Sequence, residues 1–119
     1  MSERRQSLPE EREAVTHRFQ IAGVVGYLTV GLYPDGTPGE LFVRIAKEGS
    51  ILKGTLDAAA TAMSIGLQYG VPLEVFVDKF RGWAFEPSGV TQTPEIPIAQ
   101  SVLDYIVRWL DLRFGGKEE

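Results

Sequence analysis

The chain has 119 residues, 44% hydrophobic and 24% charged, with a net charge of −4 at pH 7, which suits one domain with a real core and not two. It contains no cysteine and a single histidine, so disulfides, thiolate metal sites and cysteine nucleophiles are excluded. The acidic balance argues against a protein that wraps duplex DNA.

The start, MSERRQSLPEEREAV, mixes charges of both signs and lacks the apolar stretch of a secretion signal. No later run approaches the roughly 18 apolar residues of a membrane span. The expectation is a cytoplasmic protein with no membrane partner. Residues 1–16 read as a charged, flexible tail, residues 17–116 as one domain, and residues 117–119 as a second short tail.

From residue 17 the pattern alternates with period 2 and predicts a three-stranded antiparallel meander. Gly23-Val24-Val25-Gly26 separates RFQIA from YLTVGLY, and Pro34-Asp35-Gly36-Thr37-Pro38-Gly39 separates that from ELFVRIA. Setting Tyr33 opposite Glu40 and Ala22 opposite Tyr27 puts Phe19, Ile21, Leu28, Val30, Leu32, Leu41, Val43 and Ile45 on one face. The other face collects Arg18, Gln20, Tyr27, Thr29, Tyr33, Phe42 and Arg44. That mixture suits a solvent face, a protein interface or a small-ligand surface.

A long helix follows, with Ser50 as its expected N-cap, Gly70 at its C-terminal stop and Pro72 barring continuation. Leu52, Leu56, Ala59, Met63 and Leu67 form its core stripe. Its reverse side holds Gly54, Ala58, Ala62 and Gly66, and each helical glycine costs about 1 kcal/mol against alanine. Close approach of another backbone explains them best, which makes this helix central. With Tyr27 and Phe42 on the outer sheet face, this ridge leads us to expect a homo-oligomer, a dimer or larger.

Leu73, Phe76, Val77 and Phe80 predict a short second helix stopped by Gly82. The stretch WAFEPSGVTQTPEIP reads as irregular. A final helix is expected from Thr93-Pro94 or Pro97, with Ile98, Val102, Tyr105, Trp109 and Leu112 facing the core and Gly115-Gly116 ending it. The fold class is therefore α+β, a three-stranded antiparallel meander packed on one face by about three helices.

Candidate chemistry is sparse. Lys47-Glu48-Gly49-Ser50 enters the long helix with free N–H groups, a positive dipole end, and Lys47, Lys53 and Arg44 nearby, so it could hold a phosphate or act simply as a helix cap. Phe85-Glu86-Pro87-Ser88-Gly89 reads as a turn whose glycine takes a positive φ, and Ser88 could add a ligand contact or merely link two helices. His17 has no nucleophile or orienting acid at a telling distance in sequence and reads as a surface or strand-start residue. No catalytic residue is assigned. Asp57, Asp78, Asp104 and Glu74 make no close ligand set, and no metal is assigned.

The pieces GYLTVGLYPDGTPGE, AKEGS, LQYGVPLE and FEPSG, within roughly residues 9–114, resemble the C-terminal region of adenosylcobalamin-dependent (class II) ribonucleotide reductases. In that family the radical chemistry sits on a barrel with cysteines and a cobalamin site, none of it in this region. The resemblance implies a chain with no enzyme activity of its own, an accessory or interaction domain supporting a large catalytic subunit. On that reading the chain could be a subunit of ribonucleoside-diphosphate reductase, with adenosylcobalamin belonging to the catalytic partner. The alternative is an independent module binding a nucleotide-like ligand, a sponge or a sensor. A binder should gather Arg18, Arg44, Lys47 or Lys53 in one concavity with Tyr27, Phe42 or Trp83.

Overall fold

The computed structural model describes residues 4–46 and 48–115. Its elements run β1 (Ala14–Ile21), β2 (Val24–Leu32), β3 (Pro38–Ile45), α1 (Ser50–Gln68), α2 (Leu73–Phe80), β4 (Gly89–Thr93), β5 (Ile96–Ala99) and α3 (Val102–Phe114). The class is α+β, but the sheet has five strands, ordered β3-β2-β1-β4-β5 and antiparallel throughout. The two strands beyond the expected meander come from the proline-rich stretch. Thr93 pairs with Ile96 across Pro94-Glu95, and Ile21 pairs with Thr91 to join this hairpin to β1. Pro97 sits within β5, where an edge strand can spare an N–H.

The meander keeps its expected faces but not its expected register. Leu28 lies opposite Val43 and Val30 opposite Leu41, a shift of two residues; Phe19 lies opposite Gly26 and Ile21 opposite Val24, a shift of four. Both shifts are even, so no side chain changes face. The cause is the turns. Ala22 and Gly23 both take positive φ, 50° and 85°, and close a two-residue hairpin of the type that matches strand twist. The second turn is a three-residue loop, Pro34 to Gly36, in which Gly36 has φ 87° and the Asp35 carboxylate accepts from the Thr37 N–H and hydroxyl.

The core joins Phe19, Ile21, Leu28, Val30, Leu41 and Ile45 to Leu56, Ala60 and Met63 of α1 and to an almost continuous run of α3 from Val102 to Val107. The central helix is therefore α3, not α1. It starts at Val102 with Ser101 as N-cap, accepting from the Asp104 N–H at 3.0 Å; Ile98 and Leu112, expected in its core stripe, are exposed. Along α1, the expected core positions Leu56 and Met63 are buried, and Leu52, Ala59 and Leu67 are partly buried against the core. The helix ends with Gly70 at φ 91°, the Gly70 N–H donating to Leu67 and the Val71 N–H to Gly66. That is a Schellman stop.

Helix α1 also closes the sheet edge. Strand β3 is outermost, and its free peptide groups would otherwise invite pairing. The Ser64 hydroxyl accepts from the Leu41 N–H at 2.8 Å, and the Gln68 amide donates to the Gly39 carbonyl at 2.8 Å. The charged N-terminal segment lies along the same edge: Arg5 Nε donates to Gln68 at 2.6 Å, Arg12 pairs with Glu40 at 2.8 Å, and the Tyr33 hydroxyl donates to the Gln6 carbonyl at 2.6 Å. β1 begins at Ala14, three residues before the domain boundary expected from composition.

Candidate functional site

The residues expected at the start of the long helix divide. Lys47 lies outside the described residues. Gly49, not Ser50, occupies the N-cap position, with no side-chain cap; Ser50 is the first helical residue and is exposed. An N-cap needs extended backbone, and Gly49 has it, with φ −72° and ψ 167°. Arg44 and Lys53 do share a concavity of about 290 Å³ with Val43, Ile45, Leu56 and Asp57. Ser88 is not among its lining residues. Its turn takes the expected positive φ at Gly89, 138°, but leads into β4 and does not link two helices.

The ridge on α1 also divides. A side chain at Gly66 would meet the Phe76 ring at 2.6 Å, so the close neighbour there is α2 of the same chain. Gly54 has open space around it, and Ala58 and Ala62 are exposed. With Ile51, 86% exposed, and the exposed Ile65, these make an uncovered apolar stripe along α1.

On the outer sheet face, Tyr27 is 42% and Phe42 57% exposed. The register sets Arg18 opposite Tyr27 and Tyr27 opposite Arg44, so an arginine, a tyrosine and an arginine line up across three strands. The row beside it is Thr16, Thr29 and Phe42. A concavity of about 300 Å³ is lined by Thr16, Tyr27, Thr29, Phe42, Val43 and Arg44. Arg44 thus borders both this concavity and the one holding Lys53.

Two clusters escaped the sequence reading. His17 is not a surface residue: it points inward from β1, half-buried, its ring stacked on Trp109 at 4.5 Å and its Nε2 2.7 Å from the Tyr105 hydroxyl. Burial, with Arg113 as a smaller contributor, lowers its pKa below 6.5. The Thr93 hydroxyl completes the chain at 2.5 Å from Tyr105, whose own pKa burial raises. Asp104, 1% exposed, accepts from the Gly82 N–H at 2.7 Å, the Gln100 N–H at 2.8 Å and Arg108 at 3.1 Å. It ties the end of α2, the end of β5 and α3 together. Ser101-x-x-Asp104 ahead of an apolar run is a capping pattern legible in sequence; the prolines upstream drew the helix start away from it.

Among the described residues no three His, Asp or Glu side chains gather as a metal site, and no helix is long and apolar enough to cross a membrane. The one imidazole has its Nε2 engaged by Tyr105 and its ring held against Trp109, so it is not free to act as a metal ligand, and the chain has no thiol.

Comparison with known proteins agrees with the family read from the sequence. The TSCPD domain matches residues 3–114, and the chain belongs to that family. It is 58% identical over 111 residues to a vitamin B12-dependent ribonucleotide reductase of Rhodopirellula baltica, covering 93% of this chain and 11% of that protein. The reductase of the same name from Streptantibioticus cattleyicolor is 48% identical over 110 residues, covering 92% and 18%. That of Agrobacterium fabrum is 38% identical over 120 residues, covering 100% and 9%. The chain thus spans less than a fifth of the length of these relatives. No solved structure matches it.

Proposed function

We propose that this chain is a non-catalytic accessory domain that docks on the catalytic body of a vitamin B12-dependent ribonucleotide reductase and supports or regulates it. The observation that carries this is the pairing of high identity to a small part of those reductases with the absence of any cysteine in this chain. The docking surface is the exposed stripe Ile51, Gly54, Ala58, Ala62 and Ile65 on α1. Its small residues let a partner helix approach closely, and its two isoleucines supply apolar area at either end. Gly66 takes no part, because Phe76 covers it.

The stripe is tested by an Ala58→Glu, Ala62→Glu double variant. Both positions are exposed, so the fold should survive, and binding to the reductase body in sedimentation velocity should be lost. Unchanged binding by a folded double variant rules out this surface. Self-association through the same stripe, the homo-oligomer expected from the ridge, would appear in the same experiment as a concentration-dependent mass for the isolated chain that the variant abolishes.

A further inference from the structure

We infer that the uncovered sheet face binds a nucleotide, its base stacked on Tyr27 and Phe42 and its phosphate held between Arg18 and Arg44. Adjacent strands lie about 4.8 Å apart, so Arg18 and Arg44 stand on the two strands that flank Tyr27, one on either side of it. Arginine side chains from flanking strands are long enough to meet over that ring on a single phosphate. Phe42 sits diagonally from Tyr27, within reach for long or aromatic side chains, and Thr16 and Thr29 floor the space between with hydroxyl groups 3.4 Å apart. The concavity of about 300 Å³ is lined by Arg44 but not by Arg18, which stands beyond Tyr27 at its margin, and its volume lies at the lower end of small-ligand sites.

Charge selects an anion. The chain carries −4 overall, yet among the described residues neither Arg18 nor Arg44 forms an ion pair. The acid on this face, Glu40, is already taken by Arg12. Lys53 borders only the neighbouring concavity and does not reach the one beside Tyr27 and Phe42, whereas Arg44 borders both, so the phosphate is placed on the arginines. A protein partner fits this face less well. Its other exposed apolar side chains, Val90 and Ile98, are cut off from Tyr27 and Phe42 by the outward Thr16, Arg18 and Gln20 of β1. Interfaces instead gather apolar residues at their centre. Exposed aromatics on a sheet with flanking cations are the chemistry by which proteins stack bases.

The nucleotide could be free or part of a single strand, and the test separates the two. Amide resonances of the ¹⁵N-labelled chain are followed on titration with ATP, with an unstructured hexanucleotide, and with inorganic phosphate. ATP or the hexanucleotide should move Thr16, Tyr27, Thr29, Phe42 and Arg44. Tighter binding of the hexanucleotide, with a steeper salt dependence, identifies a strand; tighter binding of ATP identifies a free nucleotide. Arg18→Gln with Arg44→Gln, and separately Phe42→Thr, should each weaken binding about tenfold or more without lowering the melting temperature, since all three side chains lie outside the core. The inference is overturned if neither nucleotide probe moves these amides at millimolar concentration, if the shifts fall at the start of α1 instead, or if either variant binds as the parent does. The α1 stripe is a separate surface, so this outcome and that of the docking test are independent.

Discussion

His17 Nε2 and the Tyr105 hydroxyl lie 2.7 Å apart although 88 residues separate them in sequence, and this contact joins the first strand to the last helix. Burial keeps Tyr105 protonated by raising its pKa. The consistent arrangement is Thr93 donating to Tyr105 and Tyr105 donating to a neutral His17. A protonated imidazole would have two N–H groups, and would lose Tyr105 as a donor to Nε2 while paying for burial beside Arg113.

The pH dependence of stability follows. The folded-state pKa of His17 is lowered from 6.5, so the unfolded chain takes up a proton first as pH falls. His17 therefore stabilises the fold fully above about pH 6.5, and that contribution is lost as pH falls from there through the depressed folded value. The chain has one histidine, so a single imidazole resonance reports it. Its titration midpoint should lie below 6.5, and His17→Gln should flatten the loss of melting temperature between pH 7 and 5. A midpoint at or above 6.5 would contradict the buried neutral imidazole.

Asp104→Ala should destabilise the fold by about 2 kcal/mol or more, because it removes the buried carboxylate that accepts from the Gly82 and Gln100 N–H groups and from Arg108. Asp104→Asn keeps one acceptor but turns an NH₂ toward a donor, so it should fall between the alanine variant and the parent. Urea denaturation at neutral pH measures both. A loss under 1 kcal/mol for the alanine variant would show that the three contacts are not coupled as described.

The two glycines of the α1 ridge should respond in opposite directions to the same change. Gly54 faces open space, so Gly54→Ala should stabilise by up to about 1 kcal/mol through helix propensity. Gly66→Ala drives a methyl group into the Phe76 ring and should destabilise by about 1–3 kcal/mol. Equal effects in thermal melts would mean that α2 does not pack where it is placed.

Ala22 holds φ 50°, a left-handed conformation costing alanine about 1 kcal/mol or more. Ala22→Asn should raise the melting temperature by about 4 °C, and Gly23→Val should lower it. No rise on introducing Asn-Gly would argue against this two-residue turn.

What was legible in the sequence was what short-range periodicity encodes. Which side of each meander strand faces the core follows from alternation, and the end of α1 from Gly70-Val71-Pro72. The register was not legible, because Ala-Gly is a weaker turn signal than the broader glycine cluster it begins. β5 was hidden by Pro97, which an edge strand tolerates, and β4 by the prolines on either side of it, Pro87 and Pro94. The candidate surface was half visible: Arg18, Tyr27, Thr29, Phe42 and Arg44 could be placed on one face. The row Arg18–Tyr27–Arg44 appears only once the register is known, and the contacts of His17 and Asp104 need the folded chain.

The central claim is that this domain serves a reductase body and carries out no reduction alone. The most direct test mixes it with the Rhodopirellula baltica reductase from which the matching region has been removed, in the presence of adenosylcobalamin, and follows both association and ribonucleotide reduction. The isolated chain should reduce nothing. With the truncated enzyme it should form an equimolar complex and change the rate of reduction. No association at tens of micromolar with no change in rate, or reduction by the isolated chain, would contradict the account.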